Sequence, residues 1–297
     1  MAIMMLMGFA VVKSGKVDGS QSAVLSAITL YVICPCMILS AFQLEYTTDR
    51  LFGLLIALIA AVGLHIVYIL VTKLLGDKMK LDGVERASLI YSNGGNLIVP
   101  LVSSILGSEY VFYCCAFIAF QTILVWVHLP RLLNPDSKMN LKKIVTNPNM
   151  IAIAAGLLFF FLRVTFPPLI ADTIGAVSDT IGPVAMLMIG MLMAQVDIRK
   201  TFGQARFWLV CFGRLIAYPL LIILLIWASR VTALVPGAKE VLVVTVLATS
   251  APIAVSVTQM ADLYGGDSRK ASAMNVMSVI FCIITMPLMM MVYQLLC

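Results

Sequence analysis

Two short polar runs, each interrupting an apolar segment, carry residue types suited to binding a small anion. The first reads Ser92-Asn93-Gly94-Gly95-Asn96 and is followed by Pro100; the second reads Ser250-Ala251-Pro252. Proline lacks an N–H and clashes with the preceding turn, and paired glycines have low helix propensity, so each helix should break there. Each break would leave a half-helix N-terminus with unpaired N–H groups and about half a positive charge. Two such ends facing one cavity would suit a carboxylate.

A purely structural role is the alternative for each run, since Pro and Gly kink packed helices and Asn side chains cap them. The paired positions of the two runs favour binding. Neither run contains Asp, Glu or Lys, although an intramembrane carboxylate is the usual sodium or proton site of a coupled pump. The predicted site is therefore neutral.

Other polar residues lie within apolar segments. Arg214 is either snorkelling or structurally paired, or it is an electropositive element on the path of an anion. Gln121 either forms an interhelical hydrogen bond or contacts the substrate. The lone residues His65 and His128 are the remaining candidates, for a proton relay.

No pattern in the sequence indicates a metal site, a cofactor or an enzyme. The seven cysteines lie in apolar stretches, without a CxxC pair or a Cys/His cluster at metal-ligand spacing. A close acidic pair, an HExxH sequence and a Ser/His constellation are also missing. We therefore expect no metal, no cofactor and no enzymatic activity.

The composition is that of a membrane protein. Of 297 residues, 62% are hydrophobic and 11% are charged, whereas a soluble domain has about 45–50% apolar and about 25% charged residues. A soluble protein is thereby excluded. Because a spanning helix needs about 20 mostly apolar residues, we predict an all-α membrane protein with ten spans, at roughly 1–12, 22–43, 51–72, 87–108, 110–129, 149–166, 179–196, 207–229, 240–262 and 271–296.

The basic residues predict an orientation. Lys and Arg collect in cytoplasmic loops, and 15 of the 20 lie in odd-numbered loops, against four in even-numbered ones. We therefore expect both termini outside the cytoplasmic membrane. The net charge of +6 reflects this topology, and no basic face with interleaved aromatics indicates a nucleic acid partner. The short first segment lacks the basic start of a signal peptide and is interpreted as a span.

Spacings of Pro and Gly predict an internal repeat. Gly8 precedes Pro35 by 27 residues, and Gly156 precedes Pro183 by the same 27. Pro100 lies 152 residues before Pro252. The predicted units are a first five-helix repeat at 1–133, a cytoplasmic linker at 134–148 and a second repeat at 149–297. Because five is odd, the second repeat is inverted in the membrane, an architecture of transporters with a site at the repeat interface.

In their order along the chain, these motifs resemble the auxin efflux carrier family of the bile/arsenite/riboflavin transporter superfamily. That family includes plant PIN-type auxin carriers and bacterial organic-acid carriers. The resemblance covers nearly the whole chain and is carried by residues 93–100, 146–149 with Gly156, 178–179 with 185–194, Arg214 with Pro219, 252–264 and 285–288.

The resemblance implies a fold like that of bile-acid symporters and sodium/proton antiporters, with broken crossover helices four and nine. Segments one, two, six and seven would form a scaffold, often the interface of a homodimer, and the other six a transport domain that moves like an elevator. At matching positions, Asn93 and the two crossover backbones would hold the substrate carboxylate. Gln121 and Ser40 would line the pocket, and Pro100 and Pro252 would shape it.

The chain departs from the plant carriers in its short linker at 131–147 and in lacking a second proline near Pro252. A bacterial-type secondary transporter of small organic anions, such as mono- or dicarboxylates, is the leading hypothesis. The alternative is a sodium-coupled organic-anion symporter of the bile-acid type, with backbone carbonyls and Asn93, Asn96, Thr249 and Gln259 as sodium ligands. A channel is disfavoured because inverted repeats with interrupted helices favour alternating access.

Overall fold

The computed structural model describes residues 2–137, 141–195 and 202–297, and these residues form helices and connecting turns, as the sequence predicts. Short helices at Leu129–Leu133, Leu141–Val145 and Val231–Leu234 lie between the principal ones. The principal helices are α1 Ala2–Lys13, α2 Gly19–Ala41, α3 Thr48–Lys78, α4 Gly83–Ile90, α5 Val99–Ile105, α6 Ser108–Val127, α7 Pro148–Leu162, α8 Pro168–Ala194, α9 Ala205–Ser229, α10 Ala238–Thr249, α11 Val255–Tyr264 and α12 Ser268–Leu296.

Within the described residues, six helices are long and apolar enough to cross a membrane, namely α2, α3, α6, α8, α9 and α12. Large apolar side chains on them face outward: Ile59 is 71% exposed and Ile284 is 65% exposed. Extensive exposed apolar surface of this kind suits contact with lipid. The chain is therefore a multi-pass membrane protein, while the number of ten spans stays a prediction.

Polar caps set where several helices begin. The side chain of Thr47 accepts the N–H of Arg50 at the start of α3, and Asp267 caps α12 in the same way. Asp82 and Glu85 form a reciprocal capping box at the start of α4. Sequence patterning missed one start, because α8 begins at Pro168 rather than near residue 179, with a turn at 179–180 inside it.

Prolines inside three helices are preceded by a π turn rather than by a break. An i→i+5 turn accommodates the missing N–H and the bulk of the ring while the helix continues. Pro100 therefore does not mark the break of segment four, since the helix runs from Gly94 through Pro100 to Ile105. The π turns lie directly before Cys34-Pro35, Val99-Pro100 and Tyr218-Pro219.

Segments four and nine are each interrupted at a polar run. The first separates Ile90, at the end of α4, from Gly94, and the second separates Thr249, at the end of α10, from Val255. Tyr91 has extended dihedrals of φ −95° and ψ 126°. Pro252 lies inside its interruption, whereas Pro100 lies beyond its own, so the two prolines are not structurally equivalent.

Close packing through glycine joins α1 to α8 and α7 to α2. A Cβ atom added at Gly8 would overlap the carbonyl of Leu187, and one added at Gly190 would overlap the carbonyl of Met5. A Cβ at Gly156, in α7, would overlap the ring of Phe42, just after α2. These four helices form a first packing group.

The other helices pack mainly on one another and form a second group: α3 packs against α6 and α10, and α12 against α9, α10 and α11. A buried carboxylate joins three of them at one end. Arg206 Nε and Lys270 Nζ lie 2.8 Å and 2.6 Å from Glu85 Oε1. Burial alone would raise the pKa of Glu85, but hydrogen bonds from these cations hold it at about 2, so the ion pairs persist at neutral pH.

Replacing Gly190 by Ala should destabilise the protein by about 1–3 kcal/mol, because the added methyl overpacks the contact between α1 and α8. Thermal unfolding in detergent measures this. Gly182→Ala in the same helix is the matched control, since a Cβ there meets no atom within 4 Å. Equal melting temperatures for the two variants would contradict the packing described here.

Candidate functional site

A cavity of about 160 Å³ lies where the two interruptions meet α2, α6 and α7. None of the described residues that line it is Asp, Glu, Lys, Arg or His. Its apolar wall consists of Leu30, Ile118, Val125, Trp126, Met260 and neighbouring aliphatic groups. Its polar lining consists of Ser26, Ser92, Asn93, Gln121, Thr122, Asn147, Asn149, Ser256 and Gln259.

The two interrupted backbones, at 91–93 and 250–254, pair with each other beside this cavity, and we call this pair of backbones the crossing. The N–H of Asn93 donates to the carbonyl of Pro252 at 2.9 Å, and the N–H of Ala254 donates to the carbonyl of Tyr91 at 3.1 Å. Ser92 and Ile253 thus face each other as an antiparallel bridge. Buried non-helical backbone within a membrane needs partners of this kind, because each unpaired N–H or C=O group is costly there.

On each side of the paired backbones, a neighbouring helix supplies further hydrogen-bond partners. Gln121 Oε1 accepts the backbone N–H of Ser92 at 3.1 Å, and its Nε2 donates to the Ser92 carbonyl at 2.8 Å. On the other side, Asn275 Nδ2 donates to the carbonyl of Ile253, and Ser278 Oγ accepts the N–H of Ile253 at 3.0 Å. Gln121 therefore forms the interhelical hydrogen bonds considered from the sequence, and it also lines the cavity.

Each interruption is followed by a helix whose N-terminus faces the cavity. Asn93 precedes the helical turn that starts at Gly94, and Ala254 precedes α11. Both residues line the cavity with Val255 and Ser256. The first N–H groups of a helix have no partner within that helix, and each N-terminus carries about +0.5 charge. The cavity is thus electropositive without a charged side chain.

The C-termini of α4 and α10, the helices that precede the two interruptions, face Arg214. Its Nε donates to the carbonyl of Ala251 at 3.1 Å, and its two terminal nitrogens donate to Leu89 at 3.3 Å and Ala248 at 3.4 Å. The side chain is fully buried, and its Cζ lies 5.7 Å from the centroid of the Tyr68 ring. Carbonyl ends, each carrying about −0.5 charge, surround this cation.

Several predicted site residues lie outside the described lining of the cavity. Arg214 is one, since its guanidinium bonds backbone carbonyls away from the cavity lining. Ser40 lies near the far end of α2 from Ser26. Ser250 and Ala251 lie on the Arg214 side of the crossing, and Pro252 and Pro100 support the backbone without lining the space. The surroundings of Gly95 and of the Asn96 side chain lie outside what the structure describes.

Sequence reasoning overlooked Asn149 as a site residue. It is the second residue of α7, it is only 5% exposed and its Oδ1 has no hydrogen-bond partner. The run Asn147-Pro148-Asn149 was visible as a helix start, and Asn147 indeed caps α7. The available signal in the sequence was an Asn that directly follows this helix start, in a helix that is otherwise apolar.

Comparison with known families decides the class of protein. The family model described as membrane transport protein matches residues 1–143 and again residues 136–290. The chain belongs to the auxin efflux carrier family. The carrier is therefore a secondary membrane transporter. A search of curated proteins finds no match for the chain.

The carrier should be destabilised by Gln121→Leu, which leaves the buried N–H of Ser92 without a partner at a cost of about 1–3 kcal/mol. Gln259→Leu is the control, because Gln259 is an exposed glutamine of the same cavity. Thermal unfolding of both purified variants measures the difference. An unchanged melting temperature for Gln121→Leu would mean that the crossing does not depend on this side chain.

Proposed function

We propose that the carrier moves small organic anions, such as carboxylates, across the cytoplasmic membrane by an elevator-type mechanism. The observation that carries this proposal is the electropositive, uncharged cavity at the crossing. Two half-helix N-termini and the buried amide of Asn93 line it. Asn93 has no side-chain hydrogen-bond partner among the described residues, so its amide is free to bind a ligand.

A carboxylate matches this arrangement better than a cation does. Helix N-termini bind anions through unpaired N–H groups and their positive partial charge. A sodium ion or an ammonium group would meet the same field without an acidic side chain to offset it. The substrate-binding set we propose is Asn93, the N–H groups of Val255 and Ser256, and the crossing backbone held by Gln121.

The proposed architecture is ten spans in two inverted repeats, with both termini outside. The family model matches each half of the chain separately, and the close contacts are reciprocal. Gly8 of α1 meets Leu187 of α8, and Gly156, 148 residues after Gly8, meets Phe42 beside α2. Reciprocal contacts are expected when a two-fold pseudo-symmetry axis relates the halves.

An elevator needs one unit that carries the site and one that stays in place. The first packing group, α1, α2, α7 and α8, would be the stationary scaffold, and the second group would carry the crossing. The cavity lies between them, with Ser26 and Asn149 on the first group and Asn93 and Val255 on the second. Homodimerisation through the scaffold remains an expectation from the family resemblance.

The sodium-coupled alternative lacks support. Its proposed ligands do not converge, because the hydroxyl of Thr249 donates to the carbonyl of Val246 and is fully buried. Thr249 ends α10 on the Arg214 side of the crossing, whereas Gln259 lines the cavity. The family match does not favour that alternative either.

Carboxylates should stabilise the purified carrier against heat, with and without sodium, and Asn93→Ala should weaken their binding about ten- to a hundredfold. That loss corresponds to one hydrogen bond to a charged group. Asn134→Ala is the matched control, because Asn134 caps an exposed turn of the linker. Undiminished carboxylate binding by Asn93→Ala would overturn the site, and no binding by the wild type would overturn the function.

A further inference from the structure

We propose that Asn149 is a specificity-determining residue that binds a hydroxyl group of the substrate, which is then a small hydroxylated monocarboxylate. The inference rests on the proposed function and adds to it the chemical class of the anion. It places one contact on each side of the cavity, with the carboxylate at the crossing and the hydroxyl at the start of α7.

Asn149 lines the cavity, and one atom of its side-chain amide has no hydrogen-bond partner. Its backbone N–H is used by the cap from Asn147 Oδ1 at 3.0 Å, but the side-chain Oδ1 is buried without a partner. Exchanging the amide O and N, which have almost the same shape, leaves the other atom in the same position. In either orientation a polar atom of Asn149 lacks a hydrogen bond that a ligand can supply.

A hydroxyl group is the ligand group that fits both orientations, because it donates and accepts. An ammonium group would donate to Oδ1 as well, but it would bring a positive charge. No Asp or Glu lines the described cavity, and two helix N-termini already make it electropositive. A neutral donor is therefore favoured over a cationic one at Asn149.

The charge of the site matches one carboxylate. The two helix N-termini together supply about one positive charge, at about +0.5 each. No Lys or Arg among the described lining residues is present to neutralise a second carboxylate, and Arg214 is enclosed by carbonyls. A dicarboxylate would bury an uncompensated negative charge.

The volume of the cavity accommodates a small substrate. A cavity of about 150 Å³ takes a molecule the size of benzene, and this one measures about 160 Å³. A carboxylate of three to six carbons fits that space. The apolar side chains of Leu30, Ile118 and Val125 line the wall, so a short hydrocarbon part between the two polar groups is accommodated.

Matched pairs of ligands test the inference on the full-length purified carrier. Lactate against propionate, and 3-hydroxybutyrate against butyrate, differ by one hydroxyl group each. We expect the hydroxylated member to bind about tenfold more tightly by calorimetry or thermal shift. Malate, a dianion, and alanine, a zwitterion, should both bind more weakly than lactate.

Asn149→Leu should reduce the preference for the hydroxylated member to about one, and Asn149→Ala provides a second variant if the first does not fold. Ser178→Ala is the control and should keep the full preference, because Ser178 bonds only its own helix at Ile174. If Asn149 had only a structural role, its replacement would weaken the binding of both members of a pair equally. The ratio of their affinities would then be unchanged.

The outcomes separate this inference from the proposed function. Binding of propionate and lactate with equal affinity by the wild type would overturn the hydroxyl contact while leaving an anion carrier. Tighter binding of malate or alanine than of lactate would overturn the monocarboxylate assignment. An unchanged preference in both Asn149 variants would overturn the role of that residue. Failure of every carboxylate to bind would overturn the proposed function itself.

Discussion

The fold depends on satisfying two stretches of non-helical backbone in surroundings that exclude water. Each unpaired N–H or C=O would cost several kcal/mol in hydrocarbon. The two stretches meet this requirement by pairing with each other at Ser92 and Ile253, while side chains from α6 and α12 bond the groups left over. Four helices must then end at one place, and the proposed function rests on where those ends lie.

At the crossing, helix ends of opposite partial charge lie on opposite sides. The two C-termini converge on the fully buried Arg214, whose guanidinium donates to three carbonyls, and the two N-termini converge on the cavity. Because the cation compensates only the negative ends, the positive ends remain available to a ligand. For the proposed function, this separation would let a cavity without charged side chains attract an anion. It also explains why an isolated arginine is tolerated in the protein interior.

The sequence alone predicted the family and the helical class, because composition and motif order are local signals. It did not predict that the helix continues through Pro100, since a π turn before a proline cannot be read from spacing. The partners of Arg214 are backbone carbonyls from other helices, and the vacant hydrogen bond of Asn149 exists only once α7 meets the crossing. Such long-range contacts leave no local pattern.

A brominated carboxylate would show where the carrier binds an anion. Anomalous diffraction from crystals soaked with 2-bromopropionate would locate the bromine. We expect a peak in the cavity of about 160 Å³, with the carboxylate beside Asn93 and the N-terminus of α11 at Val255. A peak instead in the larger cavity of about 590 Å³ at the other end of α6, which Arg50 and Tyr113 line, would contradict it.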